Sequence, residues 1–349
     1  MAKDTILYES TSTSENLMSH DILMAEIIRG DAVESTHFGS GVLVSATGEL
    51  QAVWGDAERQ MFPRSAMKSL QTLTILAHGT KLTDQQTALA CASHHGETMH
   101  ETAVKQWLLD MSLSAEHLSC GPDVPRYPED QQRLREQNIS ASRIYHNCSG
   151  KHCGQLAFCQ HQGWDVSNYN LAEHPAQQAM LAMFTELAGE PIDILGIDGC
   201  TLPAPRLSLA GFARALAKIA APDLLKGTMS NSAEQIISST IQFPFLTGGS
   251  KSPNSIMTAA SSKKFFAKNG AEGVYAVILP EARAAMALKI ADGNMRAADV
   301  AIAGMLSQMA DQLGLDKAVL SRFCSEDMFN SASKKVGVCR FANIKPTKN

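Results

Sequence analysis

The stretch "GVLVSATGELQAVWG", Gly41 to Gly55, decides the architecture. Two runs rich in valine, leucine and other apolar residues flank Ala46-Thr47-Gly48, a pattern that predicts two strands joined by a hairpin turn. "ILMAEIIRG", Ile22 to Gly30, adds a strand just ahead of them. A second pair stands near the other end of the chain. "EGVYAVILP" and "AAMALKIADG" read as strands around a turn near Glu281, and the final "SASKKVGVCRFANIKPTKN" includes a short strand. Hairpins at both ends predict an antiparallel sheet, not a doubly wound parallel one.

Helical periodicity fills the middle. Pro63 precedes "SAMKSLQTLTILAHG", which ends at Gly79, and Thr83 caps "TDQQTALACAS". "TMHETAVKQWLLDM", "HPAQQAMLAMFTELAG", "LSLAGFARALAKIA" and, nearer the C-terminus, "RAADVAIAGMLSQMADQLG" are further helices, while "GPDVPRYPED", with three prolines, reads as a surface loop. The expectation is an α+β protein of two or three layers, its antiparallel sheet built from both chain ends and flanked by helices. Residues 1–21 read as a flexible leader and 22–349 as a single catalytic unit. Its sheet part covers about 22–80 and 268–349, its helical part about 81–267, and a cleft lies between them.

Composition narrows the partners. Of 349 residues, 44% are hydrophobic and 19% charged, as in a globular protein with a substantial core. The net charge of −5 and the lack of a Lys/Arg block argue against nucleic acid and anionic membranes. The N-terminus has no apolar signal core, and no run is long enough to span a bilayer. Eight scattered cysteines then suggest reduced thiols or metal ligands in a cytoplasmic protein.

Several stretches carry chemistry. "RSAMKSLQ", Arg64 to Gln71, holds Ser65 and Lys68 three residues apart, on one helix face. A serine hydroxyl needs a base, and a lysine serves only when burial or nearby cations keep it neutral. The bland alternative is a helix cap and a solvated lysine. "CASHHGE", Cys91 to Glu97, offers Ser93 as a second hydroxyl and His94 and His95 as acid/base groups or metal ligands. A helix C-terminus explains the histidines equally well. "HNCSGKHCGQLAFC", His146 to Cys159, packs three cysteines, two histidines and a lysine around a turn into a helix. It lacks the upstream glycine of a P-loop and has no C-x-x-C. A metal there needs a distant ligand, which Asp198 and Cys200 of "GIDGCTLP" can offer. "ALKIADGN" sets Lys289 in a strand, on the face opposite Leu288 and Ile290.

In this order, "RSAMKSLQ", "CASHHGE", "NCSGKHCG", "GIDGCTLP" and "ALKIADG" resemble the thermolabile, Rhizobium-etli-type L-asparaginases. "VESTHFGSGVLV", Val33 to Val44, resembles that family's opening segment. The resemblance runs from about Asp31 to Gly314 and is poor over Thr228 to Phe266. It implies hydrolysis of L-asparagine to L-aspartate and ammonia, and a fold related to serine β-lactamases and Ser-Lys glutaminases. Carried over, Ser65 and Lys68 fall on the family's Ser-x-x-Lys, and Ser93 and Lys289 on its second Ser/Lys pair. Cys148, Lys151 and Cys200 fall on positions that hold zinc, while His146 and Cys153 match no ligand position. Asp198 beside them, with Arg64 and Glu34, is a candidate for binding the charged groups of the substrate. The expected mechanism has Ser65 attack the side-chain amide and neutral Lys68 take its proton, with a β-aspartyl ester between. Zinc would orient the substrate, and a homodimer is the default assembly. The alternatives are a related serine acyl transferase, glutaminase- or β-lactamase-like, and a non-catalytic zinc or thiol sensor.

Overall fold

The structure, a computed structural model, describes residues 20–347, so the expected leader lies almost wholly outside the described residues. Strands β1 (Ile22–Arg29), β2 (Ala32–Ser45), β3 (Leu50–Trp54) and β4 (Gln60–Met61) come first. A 3-10 turn over Arg64–Met67 leads into α1 (Lys68–Ala77). Then come α2 (Asp84–Ala90), α3 (Thr98–Asp110), α4 (Pro128–Glu136), α5 (Ser149–Gln162) and α6 (Pro175–Ala188). The short strands β5 (Leu195–Ile197), β6 (Pro203–Pro205) and β7 (Leu207–Ser208) precede α7 (Leu209–Ile219) and α8 (Thr228–Gln242). After α9 (Pro244–Thr247) and α10 (Pro253–Ala260), the chain returns to strands β8 (Phe266–Gly270), β9 (Val274–Leu279) and β10 (Ala284–Ile290). It closes with α11 (Met295–Gln308), α12 (Ala310–Leu313), α13 (Lys317–Ser321), β11 (Ser325–Phe329) and β12 (Lys335–Phe341).

The main sheet runs β11-β12-β1-β2-β10-β9-β8, with β3 also paired to β2, and every pairing is antiparallel. The fold is α+β. The predicted hairpin closes as expected: Ser45 N donates to Glu49 O at 2.9 Å, and Gly48 takes the left-handed φ of +91° that the turn requires. Alternation along β2 sends Val42 and Val44 to one core and Leu43 to the other. On the first face, Leu209, Phe212 and Leu216 of α7 cover the sheet, with α1, α2, α5 and α6 stacked beyond in the same core. On the second, Ala298, Ala301, Ile302 and Met305 of α11 pack against Met286 and Leu288. The sheet is therefore buried on both sides.

Thr83 forms a full capping box with Gln86 at the start of α2. Helix α8 had no sequence expectation, because its serines and threonines compete for backbone hydrogen bonds and mask the period. It forms by burying Ala233, Ile236 and Thr240 against α1 and α2. The stretch "LTGGSKSPNS" turns into α10, with Pro253 at the first helical position. The proline-rich loop is shorter than expected, since Pro128 opens α4. No helix of the described residues is long and apolar enough to cross a membrane.

Gly150 lets α5 approach α2. A Cβ there would sit 2.5 Å from both the carbonyl oxygen and Cγ of Leu89, and backbone cannot yield. Gly150→Ala is expected to destabilise the protein by about 1–3 kcal/mol through overpacking, read as a lower midpoint in urea. An unchanged midpoint would show that the helices slide apart freely.

Candidate active site

α1 opens with Lys68, whose side chain is buried from its first turn. Ser93 follows α2 in extended chain, pinned by its N–H to Thr247 O at 2.9 Å. Lys68 Nζ lies 2.5 Å from Ala92 O, 2.9 Å from Ser93 Oγ and 3.1 Å from Cys148 Sγ. Three acceptors match the three N–H bonds of an ammonium. A second lysine reaches the same hydroxyl. Lys268, on edge strand β8, places Nζ 3.0 Å from Ser93 Oγ, and also 2.6 Å from Asn269 O and 3.0 Å from Asn269 Oδ1. Burial first, and the Lys68 charge second, hold the Lys268 amine well below the usual lysine range. Both lysines reach Ser93 Oγ as donors. An amine that has lost a proton keeps two N–H bonds, the number Asn269 accepts, and gains a lone pair able to take the Ser93 proton.

The hydroxyl opens into a cleft of about 730 Å³, lined among others by Ser65, Ser93, His95, Arg126, Tyr127 and Lys251. Ser65 faces the cleft as expected, but among the described residues its hydroxyl has no side-chain hydrogen bond, to Lys68 or otherwise. Arg64, just before it, sits at a left-handed φ of 52°, a strained backbone for a non-glycine residue. Arg64 Nε donates to Asp198 Oδ1 at 2.8 Å. The two proposed substrate-binding groups thus pair with each other.

Two expectations are corrected by this geometry. Lys289 is not the partner of Ser93. It shares a face with Lys268, but β9 lies between their strands: Lys289 aligns with Val274, and Lys268 with Ala276. Its Nζ bonds instead to the carbonyls of Glu272 and Ile290, and burial, then Arg59, pushes its pKa down to about 8. Glu34 lies at the exposed start of β2, ion-paired to Arg29 at 2.9 Å, and does not line the cleft. Lys268 escaped sequence reasoning because "FFAKNG" was not read as a strand. The available signal was a lysine alternating with Phe266 in a short apolar run. His94 is structural: Nε2 meets Ser149 Oγ at 2.9 Å, the ring stacks on His100, and burial holds it neutral.

Cys148, Lys151 and Cys200 do converge. Lys151 Nζ lies 2.8 Å from Cys200 Sγ, the two thiols are hydrogen-bonded to each other, and all three side chains are buried. The bond from Cys200, aided by the Lys68 and Lys151 charges, holds the Cys148 thiol well below its ordinary range. Against the cost of burial, the Cys200 and Cys148 charges hold Lys151 up. Asp198 Oδ2 is 3.6 Å from Cys200 Sγ. Among the described residues no three His, Cys, Asp or Glu side chains form a metal cluster, so a metal here takes the amine as its third donor. Two sulfurs and a nitrogen suit zinc, provided that Lys151 gives up its proton. His146 instead accepts from Cys148 N at 3.0 Å, and Cys153 is a buried thiol.

A model of the family described as L-asparaginase II matches residues 25–341. The chain belongs to that family. It is an amidohydrolase, an enzyme of asparaginase type. No curated protein matches it. Among solved structures, a β-lactamase from Mycobacterium bovis is 15% identical, with a TM-score of 0.43 over 79% of this chain and 94% of that one. Mglu in its native form is also 15% identical, with a TM-score of 0.44 over 80% of this chain and 62% of its own. A mutant simvastatin synthase from Aspergillus terreus is 11% identical, with a TM-score of 0.36 over 72% of this chain and 86% of that one.

The depressed Lys268 of this amidohydrolase has a measurable consequence. The unfolded chain binds the lysine proton below pH about 10.4, whereas the folded chain binds it only at much lower pH. The folded state is thus penalised progressively as pH falls from about 10.4 toward the depressed value. Lys268→Met removes the penalty. Its stability relative to wild type is expected to be more favourable at pH 7 than at pH 10.5, checked by urea unfolding at both. A difference independent of pH would mean that Lys268 is charged in the folded state.

Proposed function

We propose that this chain is an L-asparaginase that hydrolyses the side-chain amide of L-asparagine through a β-aspartyl serine ester. One observation carries the reading: a hydroxyl in the cleft, Ser93, lies between two buried lysines at 2.9 and 3.0 Å. Neutral Lys268 takes the Ser93 proton as Oγ attacks the amide carbon, and the Lys68 ammonium, beside the same oxygen, supplies positive charge. The proton passes to the departing ammonia, and water then cleaves the ester.

A second reading keeps Ser65 as the attacking group, with Ser93 relaying its proton to Lys268. It is favoured by the free hydroxyl of Ser65 in the same cleft and by the strained Arg64 that presents it. Ammonia release from L-asparagine, with mass mapping of the trapped ester, separates the two. Ser93→Ala is expected to lose at least about 10³-fold in kcat, and the ester trapped on wild type is expected on the peptide that carries Ser93. An ester on Ser65 would favour the second reading. Turnover of glutamine or a β-lactam without asparagine would favour a related acyl transferase.

Cys148, Lys151 and Cys200 are the residues that would hold zinc, with Asp198 and Arg64 fixing that corner beside Ser65. A zinc ion there would supply positive charge that draws substrate oxygens toward the cleft. Verified removal of zinc with a chelator is expected to raise KM more than it lowers kcat. An unchanged KM would end the orienting role. A homodimer in the cytoplasm belongs to the same reading.

A further inference from the structure

The hydrogen bonds around His95 set its tautomer. Lys251 N donates to the Tyr127 hydroxyl oxygen at 3.2 Å. Among the described residues, the only acceptor facing the Tyr127 hydrogen is His95 Nδ1, 2.6 Å away. Burial first, and the Arg126 charge second, push the His95 pKa down to about 4, so the ring is neutral at pH 7. A neutral imidazole that accepts at Nδ1 carries its hydrogen on Nε2. That N–H has no protein partner among the described residues, and His95 lines the cleft two residues after Ser93.

The ring is held against rotation. A Cβ on Gly249 would lie 3.1 Å from His95 Nδ1 and 2.4 Å from Glu97 Oε1, so this loop fits only as glycine. The same Glu97 oxygen accepts from Ser250 N at 2.9 Å, which ties the loop down over the ring.

Arg126 stands beside it. Its N–H bonds to His95 O at 2.8 Å, it lines the same cleft, and its guanidinium has no ion pair or side-chain hydrogen bond among the described residues. The other basic chain at this rim, Lys251, is already matched by Glu129 and lies over the Tyr127 ring. Arg64 is matched by Asp198 and does not line the cleft. A charged planar fork and a neutral N–H, from residues joined through their backbones and lining one cleft with Ser93, suit a carboxylate.

We propose that Arg126 and His95 Nε2–H bind the α-carboxylate of the amino-acid amide whose side-chain amide meets Ser93. This rests on the asparaginase reading and adds the group that makes the enzyme choose amino acids over simple amides. Tyr127 is a positioning residue that acts through His95.

The test compares kcat/KM for L-asparagine with that for 3-aminopropanamide, which keeps the amide and amine but lacks the carboxylate. Arg126→Gln is expected to lower the preference for asparagine by about tenfold to hundredfold, mostly through KM, as for loss of a charged hydrogen bond. Arg126→Lys recovers part of the preference. Tyr127→Phe, which frees the His95 tautomer, lowers it by a smaller factor. If Arg126→Gln does not fold, the ratios of the other two variants decide. An unchanged ratio with asparagine-active wild type overturns the subsite alone. Wild type that releases no ammonia from asparagine overturns the asparaginase reading, and the subsite with it.

Discussion

Two lysine side chains buried against one serine hydroxyl set the central constraint on this molecule. Removing an ammonium from water is costly unless its hydrogen-bonding capacity is met. Lys68 meets it with a carbonyl, a hydroxyl and a thiol whose ionisation it favours. Lys268 meets the constraint differently, because a second ammonium on the same hydroxyl would be repelled. Burial and the Lys68 charge press it toward the neutral form, and Asn269 accepts two of its N–H bonds. The asymmetry between two identical side chains follows from burial and that repulsion.

The rest of the fold serves this arrangement. Lys68 comes from α1, within the first third of the chain, and Lys268 from the edge of a sheet completed by the last third. Neither segment can move without uncoupling the pair, so the sheet is buried on both faces and α1 lies deep in one core. Cys148 caps α5, where the helix N-terminus also favours a thiolate. The Cys148 sulfur lies between Lys68 and the Lys151–Cys200 pair, so that corner and the serine network act on each other's charges. The rim is built from different material: loop backbone, a neutral imidazole and Arg126, whose guanidinium has no ion pair among the described residues. Deep residues hold the serine network, and rim residues face the open cleft.

Much of this was legible in the amino-acid sequence. The β2–β3 hairpin follows from apolar runs around a glycine turn, and the α2 boundary from a capping box spelled out by Thr83 and Gln86. The grouping of Ser65, Lys68, Ser93, Cys148, Lys151 and Cys200 followed from the resemblance of five ordered motifs to the asparaginase family. The hairpin and the cap are local signals, which survive without coordinates.

The tertiary structure alone decided which lysine meets Ser93, and which charges are already matched. Lys268 and Lys289 each sit in an apolar strand and share a sheet face, so strand periodicity treats them alike. Only strand order separates them, since it places one beside the loop after α2 and the other beyond β9. The pairing of Arg64 with Asp198, and of Glu34 with Arg29, is equally invisible to spacing, because ion pairs form across segments remote in sequence. Motifs determine which reactive groups a chain owns. Packing determines their solvation and neighbours, and with them which group is charged, which is neutral and which remains free to meet a substrate.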